Sequence, residues 1–418
     1  MPTLIWGQEF YDAAPIRYRD STPANCISRL QTELDRGTRR LTYHPEHGYL
    51  PAVLRALQVP LESQTLVFSK TSLQVRYINV QSPRALYFTD DVYVGYCRSG
   101  EVMEISAVDP QLGTVFYTLD QVQNDSPRFE RRIDNCVMCH STSSTGNVPG
   151  HLVRSLYIDA DGQPMVSAGG RTVDHTMPLE QRWGGWYVTG KHGTQKHLGN
   201  LVIRTRDVPQ PLDNSHGHNV TDLSDRLRVD RYLTPHSDLV ALMVLEHQTF
   251  VHNRLTKANF TARQILAERA AFERLKEPLT PDQTADHARR LRQAADELLD
   301  ALLWVDEAPL NAKLSGTSGY EQRFAALGPR DRQGRSLRDF DLARRVFRYP
   351  CSYVVYSAAF DGLPAELRDT LWQRLWAILT ESETPPKYAH LSVADRRAIR
   401  EILRDTKPEL PEYWRREP

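Results

Sequence analysis

Cys136-Val137-Met138-Cys139-His140 is the segment that most constrains this chain. Two thiols three residues apart can add across both vinyl groups of a haem, and the histidine that follows is placed to bind the iron from one face. The thioethers pin the porphyrin edge, so the next residue has to reach its centre. Two rival patterns fit less well. A zinc ribbon needs a second Cys pair, and Cys26, Cys97 and Cys351 are solitary. A redox dithiol of the thioredoxin kind sits between a strand and a helix early in a βαβ unit. Here the pair follows a polar, arginine-rich stretch, 128–135, about one third of the way along the chain. The expectation is one covalent haem c, with Cys136 and Cys139 as attachment points and His140 as the proximal iron ligand.

Lys plus Arg and Asp plus Glu are balanced at 52 each over 418 residues, which argues against a nucleic-acid or membrane-surface binder. No run of 18 apolar residues is present. Five cysteines are too few for a disulfide framework at this length. In bacteria, c-type haem is attached outside the cytoplasm, so a periplasmic or otherwise exported protein is expected. Met1-Pro2-Thr3-Leu4-Ile5-Trp6 has neither a basic n-region nor an apolar h-region, and the reading adopted is a mature or mis-started sequence without its leader.

The period of the hydrophobic pattern changes along the chain. Thr22-Pro23 reads as an N-cap before a helix through Ile27, Leu30 and Leu34, and Leu50–Leu57 as a second short helix. Between 64 and 120, short β-branched and aromatic runs (65–68, 75–80, 86–88, 92–97, 102–108, 114–119) are separated by turn pairs, which predicts an antiparallel meander. Asp159-Ala160-Asp161-Gly162 between 152–158 and 163–168 predicts a hairpin, and 183–204 holds two more strand-like runs. From 237 onward the pattern predicts helices over 237–256, 261–275, 281–304, 336–348, 364–380 and 392–404. The fold class expected is α+β: a mixed region with antiparallel strands over 1–125, a haem-binding segment with a hairpin over 126–235, and a helical region over 236–418. No Gly/Ser linker frees one from another, so a single integrated globule satisfies the pattern too.

The ligand on the other iron face decides between electron transfer and chemistry at the metal. His247 continues the stripe Val240, Met243, His247, Val251 at helical spacing and is the first distal candidate, against the plainer reading of a hydrogen-bonded core imidazole. Met177-Pro178 lies 37 residues after His140 and is the second, against an ordinary loop methionine. His175, His192, His197, His216, His218 and His252 are read singly as structural or surface residues. Trp183-Gly184-Gly185-Trp186-Tyr187 reads as core, with packing on a porphyrin as the alternative. The arginines at 330, 332, 335, 338, 344, 345 and 348 read as a solvated helix face, because Asp331, Asp339 and Asp341 are interleaved with them.

Together with the motif, the tracts 69–74 (SKTSLQ), 90–95 (DDVYVG), 149–155 (PGHLVRS), 182–190 (RWGGWYVTG) and 348–352 (RYPCS) resemble those of a group of exported bacterial single-haem proteins that carry a cytochrome c domain. The resemblance spans most of the chain and implies haem binding and electron transfer. Members often lack a Met at the position of Met177, which puts His247 first. The function expected is that of a c-type cytochrome, transferring one electron to or from a redox partner protein. A haem enzyme with an open distal side, peroxidase-like or acting on a small oxyanion, is the alternative, and a haem-based sensor a third reading.

Overall fold

The computed structural model describes residues 9–380 and 385–415; the Met1–Trp6 segment discussed above lies outside them. Short runs of β-branched and aromatic residues, punctuated by tight turns, build the antiparallel strands β1 (Thr65–Val67), β2 (Arg84–Phe88), β3 (Val92–Tyr96), β4 (Val102–Asp109), β5 (Gly113–Asp120) and β6 (Phe129–Arg131). Strands β7 (Arg154–Leu156) and β8 (Gly170–Thr172) pair separately, and β9 (Trp186–Tyr187) returns to lie beside β1. The main sheet has the order β6-β5-β4-β3-β2-β1-β9.

The two-residue period of a strand sends alternate side chains to opposite faces. Ala85, Tyr87, Val92, Val94, Met103, Ile105, Val115 and Leu119 therefore share a core with helices α1 (Glu9–Asp12), α2 (Cys26–Asp35) and α3 (Leu50–Ala56). Arg84, Leu86, Tyr93, Gly95, Glu104, Ser106, Phe116 and Thr118 face the other way and line a cavity. Helix α4 (Asp134–His140) leaves the β6 edge of the sheet.

The C-terminal half contains α5 (Leu239–Leu275), α6 (Pro281–Leu302), α7 (Tyr320–Ala326), α8 (Ala358–Asp361), α9 (Ala365–Thr380) and α10 (Val393–Thr406). The helices expected over 237–256 and 261–275 are one 37-residue helix. No Gly or Pro lies in that stretch, so nothing interrupts its hydrogen-bond ladder. Its N-terminal two-thirds are buried on nearly every side, between the cavity face of the sheet and the other helices. No helix among the described residues is long and apolar enough to cross a membrane.

Several expectations need correction. Residues 336–348 are not helical: Asp339 accepts the Ser336 N–H at 2.9 Å, Asp341 accepts those of Ala343 and Arg344 at 3.0 Å, and Leu342 has φ +55°. Short acidic side chains bonding nearby backbone compete with the helix there. The same competition removes the 75–80 strand, where Asn79 takes the Gln81 and Ser82 N–H groups ahead of Pro83. The partner of β7 is Gly170–Thr172 rather than 163–168, and the N-cap of α2 is Asn25 rather than Thr22. Helix α7 has no counterpart in the sequence reading.

Asp238 fixes the start of α5. Its Oδ1 accepts the Val240 and Ala241 N–H groups at 2.9 and 3.0 Å, while Oδ2 accepts those of Thr317 and Ser318 at 2.7 and 2.9 Å. One fully buried carboxylate thus both caps the helix and ties down a loop 80 residues away. A cap contributes about 1 kcal/mol, and each buried donor left without a partner costs about 1–3 kcal/mol. Asp238→Ala is therefore expected to lower unfolding stability by about 3–5 kcal/mol in a denaturant titration, and Asp238→Asn by clearly less. Equal midpoints for the two variants would contradict the double role.

Candidate functional site

Residues 136, 139 and 140 stand at i, i+3 and i+4, so α4 presents both thiols and the imidazole on one face. That face lines a cavity of about 670 Å³, within the usual range of cofactor sites, roughly 300–1,000 Å³. Val137 points the other way into the N-terminal core, which orients the helix, and Met138 is exposed. The cavity floor is the sheet face described above. Its walls come from 69–75, 151–156, 164–170, Trp186, and Leu245 and Thr249 of α5.

His140 is held at two points by one glycine. Its Nδ1–H donates to the Gly150 carbonyl at 3.0 Å, and its own carbonyl accepts the Gly150 N–H at 2.8 Å. A carbonyl only accepts, so this bond puts the ring proton on Nδ1 and leaves a lone pair on Nε2. The ring lies against Phe116, centroids 4.9 Å apart. Burial lowers the His140 pKa to about 4, so the neutral, ligand-competent form prevails at ordinary pH. Burial likewise pushes the Cys136 thiol up to about 11.

The Gly150 carbonyl is aimed in turn by α5. Asn253 accepts the His151 N–H at 2.9 Å and donates to the His151 carbonyl at 2.8 Å, clamping the peptide next to Gly150. A Cβ on Gly150 would lie 2.3 Å from Asn253 Oδ1, so the clamp requires glycine. The His151 ring also faces the cavity, with Ser106 Oγ 2.8 Å from Nε2 and Thr114 Oγ1 3.2 Å from Nδ1. Beside it, Tyr93 accepts from the Gln248 amide at 2.7 Å, which leaves its hydroxyl to donate to His252 Nδ1 at 3.0 Å. Closer to the cysteines, Arg84 pairs with Glu104 at 2.8 Å by lying across Gly95, where a Cβ would meet its guanidinium at 2.3 Å.

The sequence candidates fall in different places. Cys136, Cys139 and His140 share the cavity. His247 and Met177 do not line it. His247 is fully buried in the helical core, with Nε2 2.9 Å from Ser352 Oγ, Nδ1 3.2 Å from His175 Nδ1, and its ring stacked 3.5 Å from that of Trp304. Met177 packs against the same core. Trp183 is core, hydrogen-bonded to Glu246, whereas Trp186 does reach the cavity. None of the seven arginines between 330 and 348 lines the cavity, and they are not a helix face: six pair with carboxylates, Arg338 with Asp90 and Arg335 with Asp331 and Glu401 among them.

His192, His197 and His218 come together, ring centroids 4.6–5.5 Å apart. His192 Nε2 accepts the Asn219 N–H at 2.8 Å, so its proton sits on Nδ1 and that edge cannot ligate. Among the described residues, no group of three or more His, Cys, Asp or Glu is arranged to hold a metal ion. Asn253, His151 and the Arg84–Glu104 pair escaped sequence reading; of these only His151 has a local trace, the adjoining Gly150. No protein-family model matches the chain, and neither does any curated protein or solved structure.

Two outcomes are expected from this geometry. Asn253→Ala frees the peptide that aims the Gly150 carbonyl, so the His140 ring should lose its fixed tautomer, read as a changed imidazole N–H signal in NMR. Asn253→Asp, which keeps one acceptor, should perturb it less; an unchanged signal in both would remove the clamp. The second outcome concerns pH. Burial lowers the pKa of His140 to about 4 and of His252 to about 3, and holds His151, His197 and His247 well below 6.5. As pH falls below 6.5, the unfolded chain takes up protons that these folded imidazoles refuse, so unfolding is favoured. Glu246 and Glu307, raised by burial to about 7, act oppositely, losing stability as pH rises from 4.5 to 7. The imidazoles outnumber them. The thermal midpoint should therefore drop between about pH 6.5 and 4, and a flat or rising profile would count against buried neutral histidines.

Proposed function

We propose that the chain carries one haem c through thioethers at Cys136 and Cys139, with His140 as proximal iron ligand, and works as an exported one-electron carrier. The observation that carries this reading is the His140–Gly150 hydrogen bond. It leaves a neutral Nε2 lone pair on a ring that lines a cavity bordered by both thiols. The residues present fit the group: Leu86, Phe116, Val153 and Trp186 offer apolar contact, and Arg154 offers a cation to a propionate. When bound, the haem supplies a one-electron couple at iron. The protein's own part is to hold the imidazole in one tautomer and orientation, to shield the group from water, and to set its electrostatics through the Arg84–Glu104 pair. A redox partner protein is the counterpart.

Carrier rather than enzyme is favoured by the state of the cavity's acid–base groups. His151 has both ring nitrogens engaged by hydroxyls, Tyr93 is held between Gln248 and His252, and Glu104 is paired. Each is tied into the scaffold rather than left free to move a proton.

Expression with a c-type maturation system, followed by denaturing electrophoresis and haem staining, tests the attachment. A stained band is expected for the parent and none for the Cys136→Ser/Cys139→Ser double variant. His140→Ala should keep the stain, shift the Soret band and become open to added imidazole. A colourless parent band refutes the reading.

A further inference from the structure

We infer that the Arg84–Glu104 pair sets the reduction potential of the carrier, and that Gly95, an uncharged residue, is the position that decides it; this rests on the covalent-haem reading above. Strands β2, β3 and β4 each bring one of the three residues to the cavity floor. Leu86 and Glu104 both stand opposite Gly95 in the strand register, and Arg84 shares the face of Leu86 by the two-residue period. The missing side chain at 95 leaves a trough, and the guanidinium lies in it on its way to Glu104. A Cβ at 95 would stand 2.3 Å from Nη2 and 2.6 Å from Nε. Among the described residues Glu104 is the one carboxylate within ion-pair distance of Arg84, at 2.8 Å, and the two side chains are 19% and 13% exposed. Glu104 is anchored from a further direction, its Oε1 accepting from Ser72 Oγ at 3.1 Å and from the Leu73 N–H at 2.9 Å. The anion is therefore fixed by the loop at the cavity wall, and the cation by the trough.

Both charges reach the side chains of α4. After burial, the largest cause, Glu104 pushes the Cys136 thiol further up, while Arg132 and Arg84 oppose it. At His140, after burial and the Gly150 bond, Arg84 and Arg154 hold the imidazole down and Glu104 opposes them. A pair that acts on an attachment thiol and on the proximal imidazole acts on the iron bound to that imidazole as well. Reduction adds one negative charge at the centre, so a nearby cation favours the reduced form and a nearby anion the oxidised form. While the pair is intact, the two effects oppose each other. Losing either member leaves the other unopposed in a sheltered site, where a unit charge changes such an equilibrium about tenfold at an effective dielectric of ~20. Gly95 is thus a positioning residue: a methyl group there carries no charge, yet it displaces the cation and leaves the carboxylate to act alone.

The test uses the full chain matured with haem, and haem staining comes first. A colourless parent band removes the haem reading and this inference with it. On stained protein, the reduction potential is measured by equilibrium titration against a one-electron reference couple. Glu104→Gln, which keeps an acceptor for the Leu73 N–H, should raise the potential, and Arg84→Gln should lower it, each by about tenfold in the equilibrium constant, or ~59 mV. Gly95→Ala should lower it as Arg84→Gln does, and the Arg84→Gln/Glu104→Gln double variant should return close to the parent. A second measurement needs no haem. In the unmatured chain carrying Cys139→Ser, alkylation of Cys136 at fixed pH should quicken in Glu104→Gln and slow in Gly95→Ala, because the thiolate is the reacting form. Should Gly95→Ala not fold, the two charge variants decide. Stained Glu104→Gln and Arg84→Gln proteins with the parent's potential, or a folded Gly95→Ala whose potential stays or rises, overturn the inference while leaving covalent attachment intact.

Discussion

Between Glu246 and Asn253, two turns of α5 carry a run of buried polar side chains, and the arrangement around them depends on those bonds being made. Glu246 pairs with Arg182 and accepts from Trp183, holding the chain that leads into β9. His247 reaches Ser352 on one side and His175 on the other. Gln248 joins Tyr93 in the sheet to Tyr353 in the helical layer. Asn253 clamps His151. A buried polar group without a partner costs more than a made bond returns, so each of these contacts selects one relative position of two segments. The apolar core supplies most of the driving force for folding; the polar turns decide which packing it settles into.

Legibility in the sequence followed the range of the interaction. The motif on α4 was readable because its chemistry is contained in five consecutive residues. The meander was readable because period-two alternation and turn pairs are local. The stripe through His247 was legible as buried, since periodicity reports burial; it carries no information on what a buried imidazole will meet, and the first distal candidate lies in the helical core away from the cavity. The stretch 336–348 misled for a related reason. Its apolar spacing suits a helix, while its aspartates bind backbone N–H groups a few residues away, and the second effect wins. Asn253 lies 102 residues from the peptide it holds, and nothing in its neighbourhood marks it.

The cavity combines a fixed imidazole with lining side chains tied to the scaffold, His151 through Ser106 and Thr114 and Tyr93 through Gln248 and His252 among them. That combination suits a site in which the protein should move little when charge changes at the centre. Pre-bonded dipoles respond to a change of charge mainly by small shifts, whereas free side chains and water reorient. The floor adds a neutral ion pair and the walls add neutral imidazoles, so the basic residues near the mouth, Arg154 among them, set the sign of the local field.

The crossing of Arg84 over Gly95 has a consequence for how this part of the chain can change over generations. Three strands each contribute one residue, and the arrangement works only as a set: a side chain at 95 evicts the guanidinium, and an evicted guanidinium leaves Glu104, itself bonded to Ser72 and the Leu73 N–H, without its cation. Single substitutions at 84, 95 or 104 are therefore each harmful against the present background, although a joint replacement by three compatible residues need not be. The trio behaves as one heritable unit, and its members should drift together or not at all.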